Sequence, residues 1–284
     1  MRQVTLEQLL SAGCHFGHQI TRQNPKARDF IFESRDNIHI IDLAKTKVGL
    51  EEAAAFIREL GTIAGSSMIV IGTKRQAQAP VVAQVKRAED EGASEGLFSV
   101  TNRWIGGLLT NFQEVSKNFE KLSDLSSKLV SDEEKSKYTK KEVGDWAKEK
   151  QKLENFYGGV ANMKKTPDAL FIIDTHLENL AVREARAMGI ATVGIVDTNA
   201  DPEVIDYVIP ANDDAVGSVE LLVSYIMDAW IEGRKDLKNK TQKEEAKVAS
   251  DKKKEEKTKE KPATTENTEK KKKPIKTAVK RGSK

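Results

Sequence analysis

The residues of this 284-residue chain that could do chemistry fall into four groups. Cys14 and His15 lie close to His18, a spacing found in one half of a zinc site. The other half is missing, because His39 and His176 stand alone and Cys14 is the single cysteine. No metal is therefore assigned, and His15 and His18 are expected to pack a glycine-bearing loop and offer N–H donors to backbone or phosphate. Gly72-Thr73-Lys74 has the residue types of a phosphate loop but not its order, nor the glycine five residues ahead. Asp174, Asp197 and Asp213 could gather round a divalent ion, since hard cations take oxygen ligands. They could equally be turn and cap residues after strands, which is the favoured reading.

The fourth group is basic. The segment from Gln19 to Arg28 carries Arg22, Lys26 and Arg28 and no acidic residue. Lys74-Arg75 forms a second cluster, and Arg103-Trp104-Ile105-Gly106-Gly107 a third. An arginine meets phosphate through a planar fork, a tryptophan at an exposed position can stack or anchor, and glycines let backbone approach closely. Ordinary solvated cations with Trp104 in the core would explain any one cluster. Three together, with the basic tail, point to folded RNA bound through its backbone.

Alternating strands and helices position these groups. Apolar runs at 68–71, 97–100, 169–173, 191–196 and 206–209 read as five strands. Between them lie a helix with Pro80 near its start and Val82, Val85 and Ala88 on one face, and another holding Leu180, Ala181, Ala185 and Met188. A last helix carries Val216, Val219, Leu222, Ile226 and Trp230 at helical spacing. Such alternation predicts a parallel sheet wound on both faces, whose ligands bind at the carboxyl ends of its strands. Two pieces interrupt it. Leu108, Phe112, Val115, Phe119, Leu122, Leu125 and Leu129 run nearly as heptads, and Val143, Trp146, Leu153 and Phe156 restore the stripe until Gly158-Gly159, as in a projecting antiparallel coiled-coil hairpin. Before the sheet, Leu6, Leu9 and Leu10 mark a short helix, then a loop and a small hairpin pairing 30–32 with 38–41. The expected organisation is an N-terminal piece at 1–45, an α/β domain at 46–105 and 160–234, the inserted hairpin at 106–159, and a disordered Lys-rich tail at 235–284.

Charge sets the tail apart. Residues 235–284 hold 19 Lys+Arg against 9 Asp+Glu and no Phe, Trp or Tyr, too little apolar surface to offset the entropy of ordering. The preceding 234 residues hold 28 basic and 35 acidic residues. Basic tails seek polyanions or simply solvate the chain. No apolar run approaches the roughly 18 residues of a membrane span. No apolar signal follows Met1-Arg2-Gln3, so a soluble chain in a reducing, cytoplasmic setting is expected.

Several stretches also resemble a known family. They are His15-Phe16-Gly17-His18, Asn24-Pro25-Lys26, Gly72-Thr73-Lys74-Arg75, Asn102-Arg103-Trp104-Ile105-Gly106-Gly107 with Leu109-Thr110-Asn111, Pro167-Asp168-Ala169-Leu170, Ile195-Val196-Asp197-Thr198-Asn199 with Asp201-Pro202, and Val208-Ile209-Pro210-Ala211-Asn212-Asp213-Asp214. In this order they resemble the S-two family of small-subunit ribosomal proteins in its bacterial form, over residues 4 to 234. The resemblance implies a flavodoxin-like α/β domain without flavin or other cofactor, with a protruding coiled-coil hairpin. It implies a place on the solvent side of the small subunit, between head and body, on small-subunit ribosomal RNA. It also implies contacts with neighbouring ribosomal proteins and support for docking the large mRNA-binding protein one, and by carry-over it makes His15, His18, Arg22, Lys26, Arg28, Lys74, Arg75, Arg103, Trp104, Gly106 and Gly107 the candidate RNA contacts. The tail departs from the bacterial pattern.

The expectation is a non-catalytic RNA-binding protein with no small-molecule substrate. Two rivals remain. A metal-dependent enzyme would use the acidic strand ends, although no phosphate loop or base–nucleophile pair accompanies them. A free adaptor would use the hairpin to bind proteins without RNA.

Overall fold

A computed structural model describes residues 3–131 and 135–259, in two compact units, Met1–Lys240 and Thr241–Lys284. The first unit is built on a parallel sheet of β4 (Met68–Ile71), β5 (Leu97–Val100), β6 (Ala169–Ile172), β7 (Ala191–Val196) and β8 (Tyr207–Pro210). The strands lie in the order β5-β4-β6-β7-β8, every neighbouring pair parallel. Numbered within the sheet this is 2-1-3-4-5, the flavodoxin-type order, and the order reverses between β4 and β6.

Both faces are covered, so the strands are short apolar runs whose residues alternate between two cores. Met68, Val70, Phe171, Ile173, Val193 and Ile209 pack on one side, against α1 (Leu6–Ser11), α2 (Leu43–Gly61), α3 (Arg75–Asp90) and α7 (Val216–Lys259). Ile69, Ile71, Leu170, Ile172 and Val196 pack on the other, against α6 (Asn179–Met188), the 104–109 loop and the foot of α4 (Phe112–Val130). Trp230 is fully buried and its indole N–H donates to the Ala93 carbonyl at 2.9 Å. Helix α3 turns its face differently from the expected one: Ala77, Val81 and Ala88 are buried and Val82 is exposed. Val81 lies one helical repeat from Ala77, whereas Val82 is a further 100° round. Helix α2, absent from the expected elements, covers β8 with Leu50, Ala53, Ala54 and Ile57.

The N-terminal piece is a three-stranded antiparallel sheet in the order β1-β3-β2, with β1 (Phe16–Gln19) added to the anticipated hairpin of β2 (Ile31–Arg35) and β3 (Ile38–Ile41). Asp36 and Asn37 turn the hairpin at φ of 50° and 62°, the left-handed region that Asp and Asn tolerate best after glycine.

Helices α4 and α5 (Lys140–Tyr157) pack together in opposite directions, as the pairs Asn118–Tyr157, Lys121–Glu149 and Lys128–Trp146 require. Val115, Phe119, Leu122 and Leu125 are buried along α4. Thr139 and Glu142 form a reciprocal capping box that starts α5. At its foot, Gly159 presses on β5: a Cβ there would stand 2.1 Å from the Ser99 carbonyl oxygen, so no other residue fits without moving the chain.

The tail begins differently from expectation. Helix α7 does not stop at residue 234: Lys235 pairs with Glu91 at 2.6 Å and Lys238 donates to the Gly92 carbonyl at 2.5 Å. Ordered contacts thus pass the expected boundary at 235 as far as Lys238, helical backbone is described to Lys259, and residues 260–284 of the expected tail lie outside the described residues. No described helix is long and apolar enough to cross a membrane.

Candidate functional site

At the carboxyl edge of the sheet, the loops after β4, β6, β7 and β8 bring Lys74, Asp174, Asp197, Asp213 and Asp214 together. The Lys74 ammonium lies 3.1 Å from Asp174, 2.9 Å from Asp213 and 2.6 Å from Asp214. It thereby closes the crevice at the strand-order reversal, helped by Thr73, whose hydroxyl donates to Glu178 across the same gap. Burial opposes the charge on Lys74, but the three carboxylates outweigh it and hold the ammonium well above the ordinary lysine range. Asp213 is almost fully buried, and Oδ2 has no hydrogen-bond partner among the described residues. Burial, with Asp174 and Asp197 adding to it and Lys74 opposing, pushes its pKa up to about 7.

The N-terminal segment is sewn onto this edge. Asn212 donates its backbone N–H to the Cys14 carbonyl at 3.1 Å and Asn24 its own to the Thr198 carbonyl at 2.8 Å. His18 donates its backbone N–H to the Thr198 hydroxyl at 2.9 Å. Gly17 makes that approach possible, since a Cβ would stand 2.8 Å from Thr198 Cγ2 and 3.2 Å from the His39 carbonyl. The His18 ring faces Asp197 at 3.1 Å through Nδ1 and Asp214 at 3.4 Å through Nε2. Its pKa is raised, chiefly by the bond to Asp197, while burial pulls the other way. His18, Asp213 and Asp214 bring ligand atoms within 4.8 Å of one another, a set able to hold a divalent cation, although Lys74 already supplies counter-charge to both carboxylates. Cys14 lies in the hydrophobic core with burial raising its thiol pKa, so the Cys14-His15-His18 spacing makes no ligand set. His15 rests on Phe16 with ring centroids 4.0 Å apart, and burial lowers its pKa.

The basic residues divide sharply. Lys26 is tied to Asp201 at 2.9 Å and Glu203 at 2.5 Å, and Lys74 to its three aspartates. Arg22, Arg28, Arg75 and Arg103 are exposed and form no ion pair among the described residues. Register puts Ile71 beside Val100, so Arg75 and Arg103 follow adjacent strands. Arg22 and Arg28 flank the Asn24–Thr198 bond after β7. All four therefore belong to one edge. Gly106 is exposed and Gly107 half-buried beside Arg103. Trp104 does not offer the expected exposed ring: it is 5 % exposed, packed with Leu108, Leu109 and Val115, its indole N–H 3.3 Å from Glu184.

Sequence reasoning did not single out Asp214 or Glu184. Asp214, half exposed where its neighbour Asp213 is buried, meets the His18 ring, and Glu184 meets Trp104 across 80 residues of chain, which no local pattern reveals.

The chain is 45% identical over 250 residues to the small ribosomal subunit protein uS2 of Lawsonia intracellularis (strain PHE/MN1-00), covering 87% of this chain and 83% of that one. The family model described as ribosomal protein S2 matches residues 9–233, from the helix ahead of the His15–His18 loop to the helix behind the carboxyl edge. Sheet order, hairpin and edge thus all lie inside one match, and the chain belongs to the ribosomal protein S2 family.

Proposed function

We propose that this chain is a non-catalytic structural component of the small ribosomal subunit in the cytoplasm, binding small-subunit ribosomal RNA along the carboxyl edge of its sheet. The observation that carries the reading is the division among cations: Arg22, Arg28, Arg75 and Arg103 are exposed and form no ion pair among the described residues, in a segment of the chain that is acidic on balance. An unpaired guanidinium loses nothing in leaving a protein partner and can fork onto phosphate. Lys26 and Lys74, both expected contacts, would first have to leave carboxylates. The crevice that holds a cofactor in related sheet topologies is filled by the Lys74–Asp174 pair, which supports the reading without flavin or substrate.

A second surface supports protein contacts. Phe16, Ile20, Phe32 and Ile38, on and beside the three-stranded sheet, are exposed, Phe32 by 72 %. Apolar groups gathered on a small polar sheet mark a protein-docking patch. We assign it to neighbouring small-subunit proteins, protein one included, with the chain on the solvent side between head and body and the α4–α5 pair reaching outward as a coiled coil.

Sedimentation of a cell lysate on a sucrose gradient tests the reading. The wild-type chain is expected with small subunits and whole ribosomes, and a variant with all four arginines changed to Ala at the top of the gradient. A wild-type chain found only at the top refutes it. So does a quadruple variant that sediments like wild type.

A further inference from the structure

The loop between β5 and α4, residues 101–111, carries Arg103 and has almost no backbone ladder of its own: Leu108 donates to the Ile105 carbonyl and Asn111 to the Gly107 carbonyl. The N–H groups of Gly107, Leu109 and Thr110 point instead at one carboxylate. Glu184 Oε1 accepts from Gly107 N at 2.8 Å and from the Trp104 indole at 3.3 Å. Glu184 Oε2 accepts from Leu109 N at 3.1 Å and, at longer range, from Thr110 N at 3.4 Å and the Thr110 hydroxyl at 3.5 Å. Glu184 itself is 6 % exposed, in the second turn of α6.

A buried carboxylate is costly unless donors surround it, and buried N–H groups are costly unless an acceptor meets them. Each here answers the other. Backbone N–H groups of one short loop gathered round one anion make a cradle akin to the nests that elsewhere hold phosphate. In this chain the anion is a side chain, so the cradle is closed to outside phosphate and the loop is fixed without one.

We infer that Glu184 is the positioning residue of the RNA contact made by Arg103. It fixes the backbone from Trp104 to Thr110 to the core through α6, and Arg103, the residue just before this clamp, is thereby held outward and unpaired. The inference rests on the proposed reading that Arg103 meets RNA. Hydrophobic packing of Trp104 anchors one side chain, but only Glu184 fixes the three backbone amides that follow it.

A double-variant cycle on the full chain tests this, with affinity for small-subunit ribosomal RNA as the readout. Glu184→Gln keeps the shape but turns one acceptor oxygen into a donor facing N–H groups. Glu184→Gln and Arg103→Ala are each expected to weaken binding about tenfold, the scale of one charged hydrogen bond. The double variant should be no weaker than either, because a free loop no longer presents the arginine and a missing arginine no longer needs the loop. Amide exchange at Gly107, Leu109 and Thr110 should be slow in wild type and in Arg103→Ala, and fast in Glu184→Gln. If Arg103→Ala binds like wild type, the reading of the edge fails. If Arg103→Ala is weak while Glu184→Gln binds like wild type, or if the two losses multiply, Glu184 is structural only. Should Glu184→Gln not fold, Glu184→Asp replaces it, keeping the charge but withdrawing it from the amides, with the same expected and overturning results.

Discussion

Replacing Asp213 by Asn should stabilise the chain above neutral pH and remove most of its stability change between pH 5 and 8. Asp213 is 1 % exposed and holds its proton up to about 7, against 3.8 for the ordinary side chain. The folded state thus binds a proton that the unfolded state releases, and stability present below pH 4 is lost as pH rises through 7. The full difference corresponds to about 4 kcal/mol, an upper bound because the charged form keeps Lys74 at 2.9 Å. Asn forgoes that ion pair, although Lys74 retains Asp174 and Asp214. A net gain of about 1–3 kcal/mol is expected at pH 8, which is roughly 3–10 °C in Tm for a domain of this size. The gain should disappear by pH 5.

Thermal unfolding of the full chain by circular dichroism, with EDTA to keep divalent ions off the carboxylates, measures this at several values between pH 5 and 8. His18 acts in the same direction, since its raised pKa gives stability that is complete below 6.5 and lost as pH rises through its folded value. A smaller slope therefore survives in Asp213→Asn. Parallel profiles for variant and wild type, or a variant less stable at pH 8, would show that burial does not set the Asp213 charge.

Trp104→Ala should lower stability by about 3–5 kcal/mol, the usual cost of emptying a buried tryptophan site, whereas Arg103→Ala should leave Tm within about 2 °C. Equal losses would place Arg103 in a structural contact. Gly159→Ala must move the foot of α5 away from the Ser99 carbonyl, and a drop of several degrees is expected in the same melts; an unchanged Tm would mean that the close approach is relaxed in solution. Deleting 241–284 should leave the melting of the first unit unchanged, because that unit ends at Lys240. A large loss would show that the Lys-rich segment supports the fold.

How legible the chain is depends on how local the determining contacts are. Strands β6 and β7 announce themselves as continuous apolar runs, because a strand buried on both faces must be apolar throughout. Helix α2 does not, since its buried face leans on Thr46, Ala53 and Ala54 among a few larger residues, and small residues write a weak stripe. Strand β1, Phe-Gly-His-Gln, exists through pairing with β3 and through the close approach of Gly17 to Thr198, both non-local. The candidate site divides the same way. Its basic clusters are visible in sequence, but which cations are free is decided by partners far along the chain: Asp201 for Lys26, Asp213 for Lys74. The sequence leaves Trp104 reading as exposed, because its loop has no periodicity to place it. Its burial follows from α6 and α4, which pack over it.

The division between paired and free cations predicts how the chain should respond to salt. Lys74 sits among carboxylates with 19 % of its side chain exposed, and a pair so enclosed is screened weakly. Arg22, Arg28, Arg75 and Arg103 face solvent, and any phosphate they meet releases counterions on binding. With about four such contacts, the slope of log affinity against log salt should lie near −3 to −4, so raising salt from 50 to 200 mM should weaken RNA binding on the order of a hundredfold. The melting temperature over the same range should barely move. Titration of the full chain with small-subunit ribosomal RNA, paired with melts in the same buffers, reads both quantities. An affinity indifferent to salt would mean that the edge does not bind through phosphate. A Tm that falls together with the affinity would mean that the lysine–aspartate cluster, rather than the arginines, is what salt weakens.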